Sequence, residues 1–397
     1  MSNLLDQCFA PAAINGLTLP NRIIKAATFE GKCPGGIPSP ELTAFHQRIG
    51  EGGVGMTTLA YCGAEADGRV MHQMMYMGEH IRTELVELIE QVHSTGAKVS
   101  GQLSHCGNFT KNKDFKGKRP LGPTAGISMI GLVKGLPWAG EMTKADITER
   151  VNTFATAAGF MKSVGFDAIE IHFGHGYGIS QFISPRTNKR VDEYGGSLEN
   201  RMRFGLEVLA AVREEVGDSF PLLAKISMSD GVRGGVSYSD SVEISAMLDE
   251  AGIDAIICSG GTSSMNPMLM FRGDSIVNGM IKHEKNWLMK LGLKFMGPTM
   301  FKQYPYERTY FIEQAKKILA RVKCKVVYIG GVCTNDDLER LMAAGFDFIQ
   351  IGRGLIFDPD FVKNAQAKAN YKNGCTHCNE CASLIEAPGG IRCVLKD

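Results

Sequence analysis

The chain has 397 residues, with 43 Lys+Arg against 42 Asp+Glu, 44% hydrophobic and 21% charged residues, the balance of a compact soluble fold with a large core. A formal charge of +1 gives no field with which to hold a polyanion, and the one basic run, 111–118, is broken by Asp114 and Gly117, so nucleic acid is not an expected partner. The opening MSNLLDQCFAPAAING lacks a basic n-region and an apolar h-region, and no stretch approaches the roughly 20 apolar residues of a membrane span, so a cytoplasmic protein without membrane attachment is expected.

Taken along the chain, short apolar runs predict buried strands at 22–28, 54–61, 97–103, 168–173, 222–228, 255–259, 326–330 and 348–352. Segments of helical period fall between most of them, at 83–94, 145–164, 198–215, 239–250, 307–322 and 335–344, several opened by Ser, Thr, Asp or Asn caps. A glycine precedes an apolar strand in GAKVSGQL, GFDAIEIH, GIDAIICSGG and GFDFIQIGRG, as expected where a helix ends and a strand begins. Eight strand-then-helix units predict an α/β fold, a single (β/α)₈ TIM barrel over residues 1–370, with an open doubly wound sheet as the alternative for the same alternation. Two long connections, 104–144 and 261–306, follow strands and would hang over the C-terminal face of the barrel, where active sites of this fold sit. The second, after strand six, carries Trp287, Phe295, Met296, Phe301, Tyr304 and Tyr306, enough apolar surface for a lid or for a structural excursion.

The chemistry-bearing residues cluster at the predicted strand ends. Gly330-Gly331 and Gly352-Arg353 follow the last two strands, where barrels commonly hold a phosphate on exposed backbone N–H groups; ordinary tight turns are the other reading. The fourth strand runs into Glu170-Ile171-His172-Phe173-Gly174-His175-Gly176-Tyr177, where two imidazoles and a phenol can converge on one substrate oxygen and its neighbour. A His-x-x-His metal site would need a third ligand that this loop does not offer. Lys225, inside an apolar strand, needs an anionic partner or loses its proton, and Gln102 offers a donor and an acceptor that could read the edge of a ring. Either could equally be a satisfied core polar residue. Eleven cysteines without an export signal point to reduced thiols or a metal, and four of them, Cys375, Cys378, Cys381 and Cys393, form a Cys-rich segment over 371–397.

The runs PNRIIKAA, GQLSHCG, HFGHGYGISQFISPRTNKRVDEYGGSLENRMRF and GGVCTNDDLERLMAAGFDFIQIGRGLIFDPDF resemble the old yellow enzyme family over about residues 9–370. The resemblance implies FMN at the barrel mouth and reduction of the activated C=C bond of an α,β-unsaturated carbonyl compound, with hydride from NAD(P)H passing through flavin N5. It implies Gln102 and Lys225 at the pyrimidine edge, backbone of Ala26, Ala27, Thr28 and Ala60 near the ring, and Gly330, Gly331, Gly352 and Arg353 at the phosphate. His172 and His175 match the pair that hydrogen-bonds the substrate carbonyl, and Tyr177 matches the proton donor. Phe29 stands where many members carry a Thr or Cys beside the flavin, and it cannot donate a hydrogen bond.

The cysteine spacing resembles the 4Fe-4S segment of the dienoyl-CoA reductase and trimethylamine dehydrogenase branch, whose members continue into nucleotide-binding domains while this sequence ends at Asp397. A cluster, a structural zinc and bare thiols are all compatible with the spacing. With a cluster, an external redox protein is an expected electron donor. An amine dehydrogenase or demethylase and an electron-transfer subunit are the alternative functions, and a homo-oligomer is compatible with either.

Overall fold

The computed structural model describes residues 4–113, 119–132, 135–284 and 286–396; most of the basic run 111–118 lies outside them. Eight strands close into one barrel: β1 Ile23–Lys25, β2 Met56–Gly63, β3 Lys98–Ser104, β4 Ala168–His172, β5 Leu222–Ser227, β6 Ala255–Ser259, β7 Lys325–Ile329 and β8 Phe348–Ile351. All eight neighbouring pairs are parallel, β8 closing on β1. A helix follows each strand: α1 Pro40–Glu51, α2 Arg82–His93, α3 Lys144–Ser163, α4 Leu198–Val216, α5 Tyr238–Glu250, α6 Ile312–Leu319, α7 Asn335–Ala343 and α8 Phe361–Ala367. The expected (β/α)₈ barrel is therefore present, and the open sheet is not. Gly96, Gly165, Gly252 and Gly345, ahead of β3, β4, β6 and β8, all have φ between 82° and 102°, a conformation that costs a side chain but not glycine.

Side chains alternate along each strand, and the barrel interior changes character with height. Ile24, Met56, Ala168, Leu223, Ala255, Ile257, Val327 and Phe348 pack together with Ile14 and Leu19, which come from a hairpin of strands Ala12–Ile14 and Leu17–Leu19. Two residues further along β4, β5 and β8 the same face carries Glu170, Lys225 and Gln350, all buried. An apolar floor thus gives way to a polar layer at the C-terminal end. A larger apolar core, including Leu85, Ile89, Phe154, Met161, Phe204 and Leu338, lies between strands and helices.

One expectation needs correction. The helix predicted over 307–322 begins only at Ile312. Thr309 has φ 50°, and its N–H is committed to the Gly331 carbonyl at 3.1 Å, so 307–311 fold as a turn against the segment after β7. The connection after β6 carries helices Ile276–His283 and Trp287–Met300, of which Trp287, Phe295 and Met296 are exposed; the Gly279 backbone packs on Ser383 of the C-terminal segment. Among the described residues no helix is long and apolar enough to cross a membrane.

Candidate active site

At the end of β4 the chain curls tightly. A Cβ on Gly174 would stand 2.9 Å from the Ser227 nitrogen, and His175 and Gly176 both have positive φ (61° and 78°). The curl brings His172 and His175 edge to face, with centroids 4.9 Å apart, and lays the Tyr177 ring 4.8 Å from His172. Gly174 N–H donates to His172 Nδ1 at 3.4 Å, which leaves Nε2 of a neutral ring as the N–H donor. Ser227 Oγ accepts from the His175 backbone N–H at 2.8 Å, and Ser259 Oγ lies 2.8 Å from His175 Nε2. With the Ser259 hydroxyl donating to Nε2, the His175 proton sits on Nδ1. Burial, followed by the neighbouring His175 and Lys225, holds the His172 imidazole well below its usual range. Burial, then Lys225, lowers His175 to about 3. Both rings are therefore neutral N–H donors at pH 7. Burial also raises the Tyr177 phenol, keeping its proton in place, and Ser263 Oγ lies 3.5 Å from its oxygen.

Register places Lys225 beside His172 and Gln102 beside Glu170. Glu170, fully buried, gathers this layer. Its carboxylate takes Lys225 Nζ at 2.7 Å and accepts from Gln102 Nε2 at 2.6 Å and Gln350 Nε2 at 2.9 Å. Lys225 thus has the anionic partner that burial requires. Among the described residues the Gln350 side-chain oxygen Oε1 is buried without a hydrogen-bond partner.

Ala26, Ala27 and Thr28 follow β1, with Ala26 N–H donating to the Ile351 carbonyl at 2.9 Å. A Cβ built on Gly352 would reach only Ala26 Cβ at 3.8 Å and Thr28 Cγ2 at 3.9 Å, so these residues border one open space. Thr28 Oγ1 accepts from Lys25 Nζ at 2.8 Å and donates to Glu30 at 2.9 Å. Ala60 is buried at a register shift between Leu59 and Cys62. Phe29 packs with Phe109, Ile130 and Tyr177 against buried Tyr61, Val70, Met71, Met74 and Cys106.

The glycines after β7 have a structural duty of their own. Gly331 has φ 73°, and a Cβ there would meet the Glu307 carbonyl at 2.6 Å; on Gly330 it would meet the Tyr310 ring at 2.9 Å. Arg353 opens the short helix after β8. Its Nη1 donates to the Arg272 carbonyl at 2.9 Å and to Asn379 Oδ1 at 2.5 Å. Cys375, Cys378, Cys381 and Cys393 line one small cavity together with Arg353 and Asn379. Among the described residues no group of three or more His, Cys, Asp and Glu side chains is arranged to hold a metal ion.

Sequence reasoning named Glu170 without assigning it as the partner of Lys225, and missed Ser227, Ser259 and Asn379. Glu170 carries a signal in hindsight, since in Ala168–His172 it shares the inward face with His172; the serines and Asn379 carry none.

Comparison with known proteins bears on this arrangement. The profile of the NADH:flavin oxidoreductase / NADH oxidase family matches residues 7–265. A 4,4'-dithiodibutanoate disulfide reductase of Rhodococcus erythropolis is 38% identical over 392 residues, covering 98% of this chain and 95% of that protein. An NADH oxidase of Thermoanaerobacter brockii is 32% identical over 378 residues, 94% of this chain but only 52% of that protein. The crystal structure of the old yellow enzyme homologue from Zymomonas mobilis shares the fold with TM-score 0.71 at 20% identity, covering 94% of this chain and 96% of that one.

Proposed function

Because the chain belongs to the NADH:flavin oxidoreductase / NADH oxidase family, and is an FMN-dependent NAD(P)H oxidoreductase of the old yellow enzyme kind, we propose that it reduces the activated C=C bond of α,β-unsaturated carbonyl compounds. The residues present fit FMN: an open border at Ala26, Thr28 and Gly352, a Lys–Gln pair on a buried carboxylate, and an orphaned Gln350 oxygen. Bound FMN supplies hydride exchange between NAD(P)H and substrate. Gln102 and Lys225 would hold its pyrimidine edge, the backbone of Ala26, Ala27, Thr28 and Ala60 its ring, and the backbone of Gly330, Gly331 and Gly352 with the Arg353 side chain its phosphate.

One observation carries the proposal. Two neutral imidazoles, 4.9 Å apart, stand beneath a phenol that keeps its proton. Their N–H groups bind the substrate carbonyl oxygen and stabilise the negative charge that develops there, without giving up a proton. Tyr177 gives its proton to the carbon next to the carbonyl. The aromatic and Met-rich wall of Tyr61, Phe109, Met71 and Met74 excludes water from that transfer.

A second reading, reduction of a disulfide, is favoured by the Rhodococcus relative, similar along nearly its whole length. Anaerobic mixing of the NADPH-reduced holoenzyme with 2-cyclohexenone or with 4,4'-dithiodibutanoate decides between them. Reoxidation by the enone, slowed in a His172→Ala, His175→Ala double variant, is the expected result; reoxidation by the disulfide alone would overturn it.

The cysteine segment is proposed to hold a 4Fe-4S cluster on Cys375, Cys378, Cys381 and Cys393. The four thiols line one cavity, and their spacing resembles the cluster segment of the dienoyl-CoA reductase branch.

A further inference from the structure

The chain has two tryptophans, Trp138 and Trp287, and both stand in solvent, 59% and 71% exposed. Indole is highly buried on average, so two exposed rings in a protein with a full core require a reason. Neither ring is isolated. Trp138 is the antiparallel register partner of Ile127 in the short strands Gly126–Ile127 and Trp138–Glu141; Ile127 is exposed too, as is Leu132 on the chain between them. On the helix Trp287–Met300, Trp287, Leu291 and Phe295 recur every four residues, which sets them on one face, and all three are exposed. Grouped apolar side chains of this kind mark interaction surfaces, whereas single scattered ones do not.

Both groups belong to one face of the molecule. The connection 104–144 follows β3 and the connection 261–306 follows β6, so both lie on the C-terminal face, which also holds the barrel mouth. Positive charge is concentrated there as well. Residues 104–144 carry seven Lys and Arg against two Asp and Glu, and 261–306 six against two, an excess of nine positive charges in a chain whose balance is +1. Lys290 and Lys294, both exposed, follow Trp287 and Leu291 by three residues, along the edge of the apolar stripe. Such an excess opposes the pairing of two copies through this face. It suits an anionic bilayer, where aromatic and aliphatic side chains enter the headgroup layer while flexible lysines keep their ammonium groups at the phosphates. A surface contact of that kind needs no membrane-spanning helix.

We propose that the C-terminal face of the barrel is a docking surface for an anionic lipid bilayer, entered by Ile127 and Trp138 from one connection and by Trp287, Leu291 and Phe295 from the other, so that the barrel mouth opens toward the membrane.

The FMN-loaded protein is mixed with vesicles of phosphatidylcholine alone or with about 30% phosphatidylglycerol, and binding is read by flotation and by tryptophan emission. The chain has no third tryptophan, so a blue shift reports these two positions directly. Flotation with the anionic vesicles, a blue shift on binding, and about a tenfold loss of binding between about 0.1 M and about 1 M salt are expected. A Trp287→Ser, Phe295→Ser variant and a Lys290→Gln, Lys294→Gln variant should each bind about tenfold more weakly, with FMN content and the rate of flavin reduction by NADPH unchanged. No binding to anionic vesicles, equal binding to both kinds of vesicle, or variants that bind like the wild type would overturn the proposal. So would a wild-type dimer in sedimentation velocity that the Trp287→Ser, Phe295→Ser variant dissociates, since a second copy would then cover the stripe. Binding to polyglutamate but not to vesicles would overturn it in favour of an acidic protein partner.

Discussion

Glu170 is the residue on which the polar layer of the barrel depends, and Glu170→Gln isolates its charge at nearly constant volume. In the wild type Lys225 Nζ and Glu170 Oε1 are 2.7 Å apart, with 2% and 0% of their side chains exposed. Replacing the carboxylate leaves a buried ammonium facing an amide, and removal of one partner from such a pair costs about 3–5 kcal/mol. Gln102 and Gln350 lose a charged acceptor as well, worth roughly another 1 kcal/mol between them once they re-pair with the amide. Urea unfolding of the FMN-free protein, followed by tryptophan fluorescence and far-UV circular dichroism, should show a loss of about 5 kcal/mol with little change in slope. The flavin is removed first because its binding would add stability by mass action. A Glu170→Gln, Lys225→Met double variant should regain at least half of the loss, because the orphaned charge goes with the lysine. A single-variant loss under about 1 kcal/mol, or a double variant no better than the single, would refute the argument.

Further outcomes are expected. Tyr177→Phe should keep flavin reduction by NADPH while slowing alkene reduction by about 10²–10⁴ in stopped-flow measurements; equal rates would remove the phenol from the mechanism. His175 is neutral in the folded chain down to about pH 3, whereas in the unfolded chain it protonates near pH 6.5. The unfolded state then binds more protons below pH 6.5, so stability falls with acidification. Between pH 7 and pH 5 the wild type should lose about 2 kcal/mol more than His175→Asn in matched urea titrations. Gly331→Ala, strained by φ 73° and by the Glu307 carbonyl, should destabilise the protein by about 1–3 kcal/mol. Gly352→Ala, with φ −99° and 3.8 Å of clearance, should fold normally yet bind FMN more weakly in fluorescence titration; unchanged affinity would move the phosphate away from that turn.

The barrel was legible because its strands are largely buried and read as apolar runs, and β3, β4, β6 and β8 each follow a helix closed by a glycine with positive φ. The helix predicted over 307–322 was over-extended, because periodicity cannot register that Thr309 N–H bonds the loop after β7. The floor hairpin escaped notice because strands of three residues carry too little pattern to separate them from a turn. In the site, the convergence of His172, His175 and Tyr177 followed from short spacing on one loop. Lys225 announced its need for an anion, but the identity of Glu170 depends on which strands become neighbours, a fact no local window contains. Direction was the hardest property to read. Gly352 borders the open space beside Ala26, and Arg353, next in sequence, is among the residues lining the cysteine cavity, which no periodicity announces.

The most direct measurement is a titration of the FMN-loaded protein with a para-substituted phenol, watched for a long-wavelength charge-transfer band. A band that saturates in the wild type and disappears in the His172→Ala, His175→Ala double variant, with flavin content unchanged, is the predicted result. A band of equal strength in that variant would place the anion-binding site away from the imidazole pair and contradict the account.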